Sequence, residues 1–283
     1  MMLDVRSISQ GDRPGVPVGK VLPLRRGRLI AIASGKGGVG KTWLAITLAH
    51  ALARAGRRVL LFDGDLGLAN VDIQLGLMPE RDLGGLITGR ASLAESVTAF
   101  APGGFDILAG RSGSGALAAL EPPALARVLA ELRAATALYQ TVVLDLGAGL
   151  DRAVRRMAVA ADTLMVVATD EPTSLTDAYA VLKLYAADCL PEKGGGDVRV
   201  VVNQAASQAA GEKTFATLAR ACQAFLGRTP DYAGAVRRDD RVRETIRRQS
   251  LLLTRHPASP AAADVERLAA GFAAEPRGLV AGG

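Results

Sequence analysis

Short runs of Val, Ile, Leu and Phe recur along the chain, separated by longer stretches whose apolar residues return at helical spacing. The runs lie at residues 29–33, 58–62, 105–109, 141–145, 163–168, 198–202 and 232–236, with little polar alternation inside them. A strand wetted on one face alternates, whereas a strand covered on both does not, so these runs predict a largely parallel sheet lying between helices. Helical stretches fall between them, near 42–55, 92–98, 122–136, 151–160, 173–187, 212–226, 240–249 and 261–272. This alternation predicts an α/β fold with a single doubly wound, mainly parallel sheet, in which ligands sit at the carboxyl ends of the strands. Residues 1–28 carry prolines, glycines and arginines without an apolar period and predict a flexible arm. Residues 29–272 then form the folded domain and 273–283 a short tail. Gly194-Gly195-Gly196 reads as a surface turn, with no linker before it long enough to divide the domain.

Composition narrows the picture. The chain has 283 residues, 49% of them hydrophobic, which is ample for a sizeable core. Its net charge of +6 permits contact with nucleic acid or anionic lipid without requiring either. The two cysteines, Cys189 and Cys222, are far apart and in no C-x-x-C arrangement, which argues against a disulfide framework, a zinc site or a cysteine-held cluster. No apolar run is long enough to cross a bilayer and the N-terminus lacks the order of a secretory signal, so the expectation is a cytoplasmic protein.

The candidate chemistry begins after the first strand. Gly35, Lys36, Gly37, Gly38, Val39, Gly40, Lys41 and Thr42 match G-x-x-x-x-G-K-[ST], between a predicted strand and a predicted helix. Small residues there let several backbone N–H groups turn toward one anion, and the helix N-terminus adds partial positive charge. Lys41 is expected to reach the β- and γ-phosphates of a nucleotide and the Thr42 hydroxyl to ligate Mg²⁺. Trp43 follows directly and is expected to pack beneath the loop. Lys36 is a second lysine that an ordinary phosphate loop does not need.

Acids end two further strands at the same predicted edge. Val59–Phe62 runs into Asp63-Gly64-Asp65, and Val142–Leu144 runs into Asp145. A carboxylate after an apolar strand beside a phosphate loop can hold a water bound to Mg²⁺, which makes Asp145 the first candidate for that task. Asp63 and Asp65 are two apart and share one side of the backbone if strand geometry persists. One then serves the metal's waters and the other an attacking water. Asp also suits turns and caps, so each acid taken singly has a structural alternative.

With these residues in hand, the chain resembles the MinD/ParA ATPases with a deviant Walker A loop, which carry the extra lysine at the position of Lys36. The segment from Asp63 through Leu68, Ala69 and Asn70 to Asp72 is similar to the D-x-D-L-G-L-A-N-x-D string of the flagellar-number regulators of the FlhG (FleN) type. Asp145-Leu146-Gly147-Ala148-Gly149 resembles their D-T-G-A-G, with leucine in place of threonine, and Glu171–Tyr179 resembles E-P-T-S-[IL]-T-D-A-Y. The resemblance runs from about Leu29 to about Leu268. It implies an ATP- and Mg²⁺-dependent ATPase that dimerises with ATP between the subunits, parts after hydrolysis, and regulates flagellar number or placement. MinD-like septum positioning and ParA-like partitioning of DNA or other cargo are the alternatives. It also implies roles for single residues. Lys36 acts in trans on the partner's nucleotide, Lys41 and Thr42 contact phosphate and metal, Asp65 orients water, and Asp63 and Asp145 form the metal's outer shell. Asn203, at the end of Val200–Val202, would hydrogen-bond adenine, although a turn-forming role suits an Asn there as well. Where the family reads I-P-x-D near the base, this chain has Val236-Arg237-Arg238-Asp239.

The remaining signals are weaker. Six arginines against three acids between Arg237 and Arg248 suit either a solvated helix with internal salt bridges, which is the favoured reading, or a surface that binds nucleic-acid phosphates. His50 and His256 lack metal-ligand spacing. The tail after Phe272 makes a poor amphipathic anchor, and residues 1–28 lack the D-Q-A-x-x-L-R string with which some relatives stimulate a GTPase. Placement at a cell pole is then expected to depend on a partner, for which flagellar assembly or regulatory proteins are the candidates.

Overall fold

The computed structural model describes residues 26–65, 67–110, 121–189 and 196–274. Most of the expected N-terminal arm, Leu66 of the first acidic motif, the turn at Gly194 and Gly195, and the tail beyond 274 lie outside the described residues. The chain opens with β1 (Arg28–Ser34), α1 (Lys41–Arg54) and β2 (Val59–Gly64). Three short helices follow, α2 (Val71–Leu75), α3 (Leu83–Ile87) and α4 (Leu93–Ser96), leading to the hairpin of β3 (Thr98–Phe100) and β4 (Phe105–Leu108). Regular alternation then resumes with α5 (Pro122–Leu138), β5 (Thr141–Ala148), α6 (Arg152–Ala160), β6 (Thr163–Ala168), α7 (Pro172–Asp188), β7 (Asp197–Ala205), α8 (Gln208–Leu226) and β8 (Asp231–Arg237). The last helices are α9 (Asp240–Arg247), α10 (Leu252–Arg255) and α11 (Pro260–Ala274).

All eight strands join one sheet in the order β3-β4-β2-β5-β1-β6-β7-β8. The strands pair in parallel except for β3 and β4, which run antiparallel. The uninterrupted apolar runs have the reason expected of them: both faces are covered. Ile30 and Ile32 pack into a layer with α1, α10 and α11, while Leu29, Ala31 and Ala33 pack into the opposite layer with α5, α6 and α7. Phe62, Leu144 and Val166 are fully buried in that second layer.

Differences from the predicted elements have local causes. The stretch 92–98 divides into the one-turn α4 and the edge strand β3. Ser92 and Glu95 close α4 with reciprocal hydrogen bonds, and the Ala101–Gly104 turn brings Thr98–Phe100 back onto β4. Helix α8 starts at Gln208 rather than 212, because the Ser207 hydroxyl accepts the Ala210 N–H at 3.1 Å and caps an earlier turn. Helices α2, α3 and α10 span too few residues to show an apolar period.

Candidate functional site

The order β2-β5-β1-β6-β7 brings every predicted site segment to the carboxyl edge of five adjacent strands. Residues 35–40 leave β1 and turn into α1. Gly40 precedes that helix at φ +87°, a left-handed conformation that favours glycine, and a Cβ there would fall 2.5 Å from the Asn203 Nδ2. Gly35 is needed for close approach, since its Cβ would lie 2.4 Å from the Asp177 carbonyl oxygen on α7. No side chain caps the start of α1, so the N–H groups of its first turn remain available to an anion at the loop.

The two lysines of the loop have different surroundings. Lys41 is 7% exposed and donates to Asp145 Oδ1 at 2.8 Å. Lys36 reaches across to the start of α7, where its ammonium donates to Glu171 Oε2 at 2.6 Å and to the Thr173 hydroxyl at 3.1 Å. That contact holds the Glu171 carboxyl below its ordinary range. Sequence reasoning found the string that contains Glu171 and Thr173 but gave neither a task. The signal in the sequence was its place directly after the predicted strand 163–168, as the loop and the acids also follow strands.

The acids converge as well. Register places Asp63 opposite Asp145 on adjacent strands, and both are fully buried. Asp63 accepts the backbone N–H groups of Asp65, Asn70 and Val71 at 3.1–3.2 Å, and thereby fastens the segment that leads into α2. Burial, and then the charge of Asp145, push its pKa up to about 7 against those hydrogen bonds. Burial also raises Asp145, opposed by Lys41 and by Thr42 beside it. One Asp145 oxygen, Oδ2, is buried without a hydrogen-bond partner. Asp65 is partly exposed, accepts the Leu68 N–H at 3.0 Å, and sits so close to Gly147 that a Cβ there would lie 3.2 Å from its Oδ1.

Asn203 and Trp43 are positioned by the core. Asn203 is 4% exposed; its Nδ2 donates to the Val39 carbonyl at 2.7 Å and its Oδ1 accepts the Gln204 N–H at 2.9 Å. In this conformation its amide ties β7 to the loop. The Trp43 side chain is buried in the α1 layer, in the cluster that also holds Val39, Ile46 and Leu251. Of the arginines between 237 and 248, Arg237 is bound by Asp264 and Arg248 by Glu244. Asp239 accepts the Arg241 N–H and caps α9. Among the described residues no group of three or more His, Cys, Asp or Glu side chains is arranged to hold a metal ion, and no helix is long and apolar enough to cross a membrane.

A doubly wound sheet with a G-K-T loop after β1 and acids closing β2 and β5 defines a P-loop nucleotide-binding protein. The chain belongs to the family described as the CobQ/CobB/MinD/ParA nucleotide binding domain, which matches residues 30–252. It is 39% identical over 234 residues to the antiactivator FleN of Pseudomonas aeruginosa, covering 83% of this chain and 82% of that protein. It is 27% identical over 226 residues to the flagellum site-determining protein YlxH of Helicobacter pylori, covering 80% and 74% of the two chains. Among solved structures, the septum site-determining protein MinD of Pyrococcus horikoshii, complexed with Mg-ADP, shares the fold with a TM-score of 0.71 and 24% identity. That match covers 87% of this chain and 96% of that one.

Proposed function

We propose that this chain is an ATP-hydrolysing switch that dimerises with ATP bound and regulates flagellar number or placement. The observation that carries the switch is the division of labour between two lysines of one loop, Lys41 buried on Asp145 and Lys36 at the surface on Glu171. The likeness to FleN and YlxH supplies the flagellar setting.

The residues present fit Mg²⁺ and a nucleotide. Thr42 supplies a hydroxyl beside Asp145, the unpartnered Asp145 Oδ2 is an acceptor without a donor, and the loop glycines leave backbone N–H groups for phosphate. Thr42 would hold the ion directly, with Asp145 and Asp63 behind its waters, and when bound it neutralises charge on the phosphate oxygens. Lys41 turns its ammonium from Asp145 to the β- and γ-phosphates. Asp65, wetter than the other two acids, accepts a hydrogen bond from the water that attacks the γ-phosphorus, so that the bond to the bridging oxygen breaks in line. Lys36 leaves Glu171 and meets the nucleotide of the facing subunit. Asn203 holds the loop and would have to turn its amide from Val39 and Gln204 to bond adenine.

Light scattering after size-exclusion chromatography, with ADP and with ATP, tests this reading. A dimer is expected with ATP alone, and a monomer in both states overturns the switch.

A further inference from the structure

Six large apolar side chains are exposed among the described residues, and four of them, Leu68, Ile73, Met78 and Ile246, belong to α9 and the segment around α2. These elements pack together, and their junction is held in one conformation. Gln249, just past α9, has φ +49°, unusual for a residue with a side chain. Its Nε2 donates to the Ile73 carbonyl at 2.9 Å, and it crowds Gly76 so closely that a Cβ there would meet its Oε1 at 2.8 Å. Ile73 and Ile246 are thereby presented on a fixed surface rather than on a loose loop.

The charge beside them is one-sided. Arg243 lies one turn before Ile246 on α9, and Arg247 follows it; both are exposed and neither has an ion-pair partner among the described residues. Of the other cations nearby, Arg248, Arg255 and His256 lie against Glu244 and Arg237 against Asp264, while the Arg241 side chain on α9 meets only the His256 ring among the described residues. Of the exposed acids of these segments, Asp240 starts α9 one turn before Arg243, and Glu80 lies beyond the end of α2. An apolar centre with a cationic margin suits a partner with an apolar ridge and carboxylates beside it. Duplex nucleic acid would use the arginines and gain nothing from two isoleucines.

We propose that α2 and α9 form a docking surface for another protein, which lays on it an apolar helix face flanked by Asp or Glu. The surface uses no phosphate-loop residue, so its test is independent of the nucleotide reading. The experiment places a photo-crosslinking amino acid at Ile73, at Ile246 and, as a control, at Leu138 on α5, in cells that make the protein. The crosslinked protein is identified by mass spectrometry, purified, and titrated by calorimetry against the full chain and against R243E/R247E. The same protein captured at Ile73 and Ile246 but not at Leu138 is expected, with affinity at least about tenfold weaker for the arginine variant and falling with added salt. Circular dichroism and ATP binding check that this variant remains folded. R243Q/R247Q, which keeps the stems without the charge, is expected between the two. No adduct specific to Ile73 and Ile246, or equal affinity for all variants, overturns the proposal. Sedimentation with phosphatidylglycerol vesicles, or a shift of random-sequence duplex DNA, that requires Arg243 and Arg247 would also overturn it, in favour of a membrane or nucleic-acid surface.

Discussion

The phosphate loop has two ends that differ in kind. At its inner end Lys41 and Asp145 form a buried ion pair, and removing one partner of such a pair leaves the other charge stranded. At its outer end Lys36 and Glu171 meet with 38% and 62% of their side-chain surface exposed, where water screens the pair and competes for both partners. The inner lysine is thus enclosed within its own subunit whichever partner it holds, and the outer pair is readily exchanged for another acceptor. A residue that acts across a subunit interface must be able to leave its own subunit, and of the two only Lys36 has that freedom. The outer contact keeps Lys36 in order without committing it.

Substitutions that separate the steps put this contrast at risk. The largest effect is expected for Asp65→Ala, which removes the group assigned to the attacking water and spares the loop. Turnover measured by phosphate release should fall by roughly 10²–10⁴-fold while ATP stays bound and the dimer accumulates. A variant that hydrolyses normally would return Asp65 to a turn-forming role, as its hydrogen bond from Leu68 alone would suggest.

Lys41→Ala comes next. It deletes the charge at the inner end, and ATP affinity by calorimetry should fall by about two orders of magnitude. Circular dichroism checks that the variant is folded, since the loss of Lys41 leaves the buried Asp145 without its partner. Unchanged affinity in a folded variant would mean that the loop does not hold the phosphates.

Lys36→Ala should leave ATP affinity within about threefold of the parent, since its present partners are Glu171 and Thr173 at the surface. Light scattering should nevertheless find the ATP-bound variant monomeric. An ATP-dependent dimer of normal mass would erase the difference between the two lysines.

The smallest effect concerns the buried side alone. His50 on α1 is held neutral, its pKa lowered to about 4 by burial and then by Arg54, and its Nδ1 has no partner. The unfolded chain takes up a proton near 6.5, so the folded state loses stability as pH falls from about 6.5 toward 4. Thermal melts of His50→Leu should therefore decline less steeply over that window, by a few degrees at about pH 5. An identical slope would show that His50 is not buried neutral in the fold.

The sequence by itself determined what is contiguous. The loop from Gly35 to Thr42 is legible because a phosphate cradle is built from consecutive backbone groups. The strands are legible because burial on both faces removes polar residues from short runs. The acids Asp63, Asp65 and Asp145 stand out because each ends or follows such a run. Only the tertiary structure decided which of these meet and how. Lys36 and Glu171 are 135 residues apart, Lys41 and Asp145 104, and Asn203 lies 164 from the Val39 carbonyl it binds. Their meeting depends on crossovers that set β5 and β6 on either side of β1, with β7 next to β6. Side-chain periodicity does not encode that order, because every covered strand looks alike in sequence. The same packing decided that one lysine of the loop is enclosed and the other reaches the surface.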